Sequence, residues 1–472
     1  MKIYRRIFLF CMLIVVLTGI FIPPGAEGIS IQKEEELSRE FLSVVFRHYK
    51  VMDAVVIVNY INDLGQKILA AFPPQPFKYH FYVIKDDSLN AFASPAGHIF
   101  INSGLIQTME SEEELAGVIS HEIAHASLRH ISKKIERSKK TNMATLAGMA
   151  AGVLLGIGGA GDAAGAVIMG SAAAGQTSAL AHSRDDEAEA DQVGLKYLNR
   201  AGYSAKGLLA VMKKMRGKEW FDSSVIPTYM RTHPGPEERM VNIDIWIAKH
   251  EQVQTNFDPY PFQRTRTWLV AFYGDQQAAL TQFQTDVAKH RKNPLAHYGY
   301  SLSLARNGNY DDAIDQMRMA LEINAFEPYF VIGLGRIYFL ARRYPEALNV
   351  LVSLESLAPN HPRRLYYLGL TQMEMGRYQD AIDAFEKTIR LYPGYTSAYQ
   401  YLGISYGKLD KLSYAHYYLG IYYQRIVNLK NADFHLQKAL AMMNDPAKRD
   451  EIEKMLGEVH RKREKLRKGS SH

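Results

Sequence analysis

Residues 120–130 read SHEIAHASLRH, and they contain the pattern H-E-x-x-H, from His121 to His125. On a helix, residues four apart lie one turn apart on the same face, so both imidazoles can reach one metal ion. Glu122 then falls beside the open coordination position, where a carboxylate can take a proton from water. The plain alternative is a surface helix that carries histidines. A third ligand decides between the two, and H-E-x-x-H by itself does not locate it.

Outward from that stretch, Ser111 and Glu114 form a capping-box signature, which predicts a helix running to about Lys140. A metzincin would need Gly at 128 and His at 131, where this chain has Leu128 and Ile131. His130 is one residue out of that register and reads as a surface histidine. From Thr141 to Ala181 the chain is almost all small and apolar, with Asp162 as its single charge. A second helix is expected from Ser183, with the acid-rich start SRDDEAEAD. Its Glu187 and Asp191 are one turn apart. Glu187 can therefore bind the metal while Asp191 accepts the N–H of a ligating histidine, which fixes the imidazole tautomer. The helix macrodipole also favours acids there, but it does not account for the pairing. Glu189 points to another face and reads as an ordinary surface acid.

At 472 residues the chain is longer than one typical domain, and 47% hydrophobic with 22% charged residues excludes a largely disordered protein. The opening MKIYRRIFLFCMLIVVLTGIFIPPGAEGIS sets Lys2, Arg5 and Arg6 before an uncharged run from Ile7 to Ile22. That layout predicts a secretory signal peptide over 1–28, cut near Ala26 to Gly28, with an uncleaved anchor as the alternative. Cys11 is the sole cysteine and lies inside that run. It follows Phe8-Leu9-Phe10, which is not the small-residue context of a lipoprotein. The mature chain would carry no thiol, so cysteine catalysis and cysteine-bound zinc are excluded. The basic run RKREKLRK (461–468) reads as a solvated helix end, since no nucleic-acid recognition motif accompanies it.

Helical periodicity from Gln32 to Phe72 ends at Pro73, Pro74 and Pro76, and FKYHFYVIKD (77–86) reads as a strand. NAFASPAGHIFINSGLI (90–106) holds a Pro-x-Gly turn and a strand through Ile99 and Ile101. Beyond Asp258, Tyr310-x-x-Ala313, Tyr344-x-x-Ala347 and Tyr378-x-x-Ala381 recur at a constant step, and Leu412-x-x-Ala415 continues it weakly. Gly335, Gly369 and Gly403 share the step, as do Pro328 and Pro362. A 34-residue helix-turn-helix period with these small and aromatic positions resembles the tetratricopeptide repeat. Such a stack offers a concave surface to other polypeptides; the alternative is a scaffold that packs only on its neighbouring domain.

H-E-x-x-H followed by S-R-x-x-E-x-x-A-D resembles the gluzincin metallopeptidase family of HtpX and the CAAX prenyl endopeptidases. In layout the chain is most similar to its BepA-type branch of periplasmic protease-chaperones with tetratricopeptide repeats. Asn90-Ala-Phe-Ala93 with Pro95, Gly97, Gly104 and Leu105, and Thr232-His233-Pro234 with Arg239, are similar to two further family segments. The likeness implies one Zn²⁺ per chain held by His121, His125 and Glu187, with Glu122 as general base. It implies that 90–101 presents an edge strand to extended substrate, with Asn90, Phe92, Ile99 and Ile101 as substrate-binding positions. It implies His233 as a fourth ligand that keeps the resting enzyme latent, and Arg239 as a stabiliser of the oxyanion. Relatives of the HtpX kind span a membrane in the region of 143–181. Here that Gly/Ala-rich stretch reads as a lid, or as a segment touching membrane or a membrane-protein substrate.

The expected fold is mainly α with a small β-sheet: a zincin-type peptidase domain over 29–257, a linker and first helical hairpin over 258–292, and an α-helical tetratricopeptide-repeat solenoid over 293–468. The expected function is an exported, periplasmic zinc endopeptidase that cleaves unfolded or misassembled proteins in outer-membrane protein quality control or assembly. Its expected partners are polypeptides, outer-membrane proteins or their assembly machinery held through the repeats, and no nucleic acid. The competing class is a chaperone or adaptor with latent or vestigial peptidase activity.

Overall fold

The structure is a computed structural model and describes residues 29–137, 182–221, 228–250 and 257–469. The expected signal peptide and the lid or membrane segment at 143–181 lie outside the described residues. Chain order runs α1 (Ile31–His48), α2 (Val55–Leu69), β1 (His80–Ile84), β2 (Ala91–Ser94), β3 (His98–Asn102), α3 (Ser103–Thr108), α4 (Glu112–Ser127) and α5 (His130–Arg137). After the undescribed stretch come α6 (Arg184–Arg200), α7 (Lys206–Phe221), α8 (Thr228–Thr232) and α9 (Pro236–Lys249). Thus the long helix expected over 32–72 is two helices, and the one expected to reach Lys140 breaks at Arg129, whose φ is 58°. A left-handed residue ends a helix and turns the chain. Arg129 is held there by its ion pair with the buried Glu34 of α1.

The sheet has the order β1-β3-β2. β3 pairs parallel to β1 (Tyr82 opposite Phe100) and antiparallel to β2 (Phe92 opposite Phe100). Alternation sends Val83, Ala91, Ala93, Ile99 and Ile101 into the main core with α2 and α4. Phe92 and Phe100 point the other way, stack at 4.9 Å, and are covered by Leu37, Phe41 and Val45 of α1. Ile99 and Ile101 therefore lie on the central strand, hydrogen-bonded on both sides, and cannot take up a substrate strand. Asn90, Phe92, Ile99 and Ile101 are all buried, at 0–1% exposure. The side chains of Phe92, Ile99 and Ile101 build the core, and Ile99 and Ile101 have no free backbone edge, whereas Phe92 lies on β2, an edge strand of the sheet, with Asn90 just before it.

The rest is a stack of helix pairs: α10 (Tyr260–Tyr273) with α11 (Gln276–Lys289), α12 (Pro294–Arg306) with α13 (Tyr310–Ile323), and α14 (Pro328–Leu340) with α15 (Tyr344–Ser353). It continues through α16 (Pro362–Glu374), α17 (Tyr378–Leu391), α18 (Thr396–Lys408), α19 (Leu412–Arg425), α20 (Leu429–Met442) and α21 (Pro446–Gly469). The repeated Tyr310, Tyr344, Tyr378 and Leu412 each open a second helix, and Pro328 and Pro362 open first helices, where a missing N–H costs nothing. The repeated glycine is a packing requirement: a Cβ at Gly369 would stand 2.8 Å from the Phe385 ring. One core runs unbroken from Met52 through Phe262 and Trp268 of α10 to Ala347 of α15. Peptidase-side helices and the first repeats are thus packed together.

Candidate metal centre

Helices α4 and α6 cross closely enough that a Cβ at Gly194 would lie 3.3 Å from His121 Cα, and Ser120 Oγ donates to Gly194 O at 2.8 Å. That crossing sets Glu187, on the capping-box turn opened by Ser183, against His121 and His125. The α8–α9 turn adds His233. Its left-handed Gly235 (φ 78°) starts α9, and Tyr229 N donates to Leu89 O at 3.0 Å, tying α8 to the start of β2. All four side chains are buried, and their donor atoms lie within 4.8 Å of one another.

The separations test whether a metal fits. His121 Nε2 is 2.9 Å from His125 Nε2, 3.3 Å from Glu187 and 3.4 Å from His233 Nδ1. Glu187 is 3.4 Å from His125 Nε2 and 3.0 Å from His233 Nδ1. A tetrahedron of nitrogen and oxygen donors about zinc has edges of about 3.3 Å, from bonds of about 2.0–2.1 Å. The set fits such an ion in size and in donor chemistry. Glu122 stands beside it with both carboxylate oxygens buried and without a hydrogen-bond partner among the described residues. Its nearest ionisable neighbour is His233, whose Nε2 lies 3.6 Å from Oε1.

Two groups outside this set, Asp191 and Arg239, control it electrostatically. Asp191 Oδ1 lies 2.9 Å from His121 Nδ1, so that nitrogen keeps its proton and Nε2 turns a lone pair to the centre. Arg239 donates through Nε and Nη2 to both Asp191 oxygens, at 2.7 and 2.8 Å, while its Nη1 is 2.7 Å from Glu187. Burial opposes ionisation of Glu187, but His233, Arg239 and His125 hold its carboxyl well below the usual range. Asp191 is likewise held down at about 2, against burial, by Arg239 and His121. Burial drives His125 well below the ordinary imidazole value, leaving it neutral and able to ligate. Burial also pushes the Glu122 carboxyl up, towards the range of a general base.

Sequence reasoning missed three residues. His130 is not at the surface: it is 2% exposed, with Nδ1 2.8 Å from His125 Nδ1 and Nε2 3.2 Å from Glu189. The break at Arg129 explains the error, because it restarts the helix at His130 and folds that ring back under His125. Glu189, half-exposed, is its partner. His182 is buried, its ring 3.9 Å from that of His125, and neither ring nitrogen is hydrogen-bonded among the described residues. With His125 and His130 it forms a second buried trio of nitrogen donors. Tyr229 stacks on His233 at 4.2 Å. No spacing in the sequence marks His182 or Tyr229, since both arrive from separate segments.

The model for peptidase family M48 matches residues 59–247, a span that holds all four donors. Residues 59–247 belong to peptidase family M48. The M48 domain is followed by tetratricopeptide repeats, whose model matches 274–328, and a model described as anaphase-promoting complex, cyclosome, subunit 3 matches 307–388. The beta-barrel assembly-enhancing protease of Yersinia pestis is 28% identical over 60% of this chain and 57% of its own length. The Escherichia coli (strain K12) protein of the same name is 24% identical over 76% of this chain and 74% of its own. The chain thus spans little more than half of the first relative. A crystal structure of MamA is 23% identical over 36% of this chain and 96% of its own, at a TM-score of 0.30, a likeness too slight to argue from. M48 peptidases are metallopeptidases, in keeping with the donor set.

Proposed function

We propose that the chain is a zinc-dependent endopeptidase of unfolded or misassembled proteins, exported to the periplasm, that serves outer-membrane protein assembly or quality control. The observation that carries the chemistry is the four-donor set with the buried Glu122 beside it, its carboxylate without a hydrogen-bond partner among the described residues. Among the described residues no helix is long and apolar enough to cross a membrane. The curated relatives' printed name supports the setting. The division into a peptidase domain over 29–257, a linker hairpin over 258–292 and repeats over 293–468 is part of the same reading.

His121, His125 and Glu187 would hold the ion. When bound, it supplies Lewis-acid polarisation of a carbonyl oxygen and makes water a stronger acid. Glu122 takes the proton of the attacking water and returns it to the leaving amine. The free edge of β2 aligns an extended substrate. Arg239 braces Asp191 and Glu187 with its nitrogens, so we assign it a positioning role in place of contact with the oxyanion. His130 positions His125: His130 donates from Nε2 to Glu189 and accepts at Nδ1 from His125, which leaves the His125 Nε2 lone pair for the ion. His130→Ala is expected to weaken metal binding about 10- to 100-fold, the usual cost of losing an outer partner of a ligand. Competition with a chromophoric chelator reads this, and unchanged affinity would remove the role.

His233 favours a second element, latency, because its Nδ1 fills the fourth corner that a substrate or water would need. His233→Ala is expected to raise cleavage of an unfolded protein about tenfold, the effect of releasing a ligand worth about 1.4 kcal/mol. No gain in rate would end the latch idea. The adaptor reading, with vestigial peptidase activity, predicts no metal-dependent cleavage from either wild type or His233→Ala.

A further inference from the structure

Where α10 runs beside the first helices of the repeats, three guanidinium groups converge with too little negative charge. Arg336 of α14 donates from Nε to the Tyr367 hydroxyl at 3.1 Å, and the charge of Arg363 of α16 acts on the same phenol. Both lie over the Phe272 ring, at 4.8 and 5.8 Å, and Arg363 is 5.6 Å from the Trp268 ring. Arg264, one turn before Trp268, stacks on Tyr329 at 4.0 Å. Arg264 has Glu327 at 3.5 Å, whereas Arg336 and Arg363 have no carboxylate within 4.0 Å among the described residues. Asp53 is the next acid to act on this region, through Tyr273 and Tyr395.

Hydrogen-bond donors are left over as well. Arg336 Nη1, Arg264 Nε and Trp268 Nε1 are buried atoms with no acceptor among the described residues. Half-buried like charges that share one phenol repel, and buried donors without acceptors are unfavourable, so the cluster is costly as it stands. Its field is visible on its neighbours. Burial would push the Tyr367 phenol up, yet Arg336 and Arg363 bring it below its ordinary value. His361 is pushed down to about 4, by burial and then by Arg363 and Arg264.

We propose that this face binds the side-chain carboxylates of an extended acidic polypeptide segment, which the half-buried Arg336 and Arg363 grip while the half-buried Phe272 packs against its apolar residues. A planar guanidinium fork matches a carboxylate, and rings beside it suit a chain that also carries apolar side chains. The proposal rests on the recruiting role of the repeats and names the chemistry they recruit. It does not depend on hydrolysis.

The test uses the full chain bearing Glu122→Gln, so that the probe is not cut. The probe is a fluorescein-labelled peptide alternating Asp or Glu with Leu or Phe, amidated at its C-terminus, read by anisotropy. Binding is expected to weaken about tenfold when the acids become Asn and Gln, and about tenfold again in Arg336→Gln/Arg363→Gln. Metal content and thermal melting of that variant are expected to match the parent. Equal binding by the neutral peptide or by the double variant would overturn the proposal, as would binding only of a peptide with a free C-terminal carboxylate or competition by inorganic phosphate at equal concentration. Should the double variant not fold, affinity for the acidic peptide that is insensitive to added salt would overturn it equally. Capture of an unfolded protein without the acidic peptide would defeat this proposal alone. Failure to bind either would defeat the recruiting role.

Discussion

Glu122→Gln is expected to lower kcat for peptide hydrolysis by about a thousandfold, within the range a positioned general base contributes, while leaving one metal ion per chain. The argument is geometric. Both Glu122 oxygens are buried without a hydrogen-bond partner among the described residues, and the His233 Nε2 atom lies 3.6 Å away. The carboxylate makes no hydrogen bond that the amide would break, its one close ionisable contact being His233 at 3.6 Å, and an isosteric change removes the proton acceptor and little else. Burial keeps its proton affinity high, which suits a group that must accept a proton and return it. Hydrolysis measured beside metal analysis separates the outcomes. Cleavage equal to wild type with metal retained would show that Glu122 is not the base, and loss of metal would show that it holds the site together instead.

Arg239→Leu should produce the largest loss of stability of any single change at the site. The guanidinium meets Asp191 through two nitrogens and Glu187 through a third, and it is 4% exposed. Leucine would leave two ionised carboxylates facing each other in the core. Breaking a buried pair by removing one partner costs about 3–5 kcal/mol. For a domain of this size that is a fall of roughly 10 °C in Tm. Added zinc should recover part of the loss, because a divalent cation supplies positive charge beside Glu187. A calorimetric Tm within about 1 °C of wild type, the scale of a neutral surface change, would show that Arg239 is not the brace described here.

The errors of sequence reading have physical causes. Alternation identified Ile99 and Ile101 as strand residues but could not say which strand is central, because strand order depends on pairing between segments far apart in sequence. β1 pairs parallel to β3 and covers the edge that a linear reading leaves open. His130 was dismissed on a register count that assumed an unbroken helix. At the turn the Arg129 side chain is held by Glu34, 95 residues earlier, and by the Ile29 carbonyl, contacts that no local spacing reveals. In the repeats, Gly308, Arg342, Gly376 and Asp410 all have φ between 58° and 83° at the same turn. Two of the four are not glycine, so composition does not mark the turn, whereas the tyrosines and prolines that open the helices do.

The chain by itself determined what depends on local spacing. His121, Glu122 and His125 share a helical face, Glu187 and Asp191 share another, and a 34-residue period specifies paired helices, because each follows from the periodicity of one element. Tertiary structure decided everything that needs two elements to meet. It brought Glu187 and His233 to the two histidines, turned Arg239 from the substrate to the carboxylates, and set Arg336 and Arg363 together beside α10. Charge compensation and close packing act through space, so no reading along the chain could assign those roles.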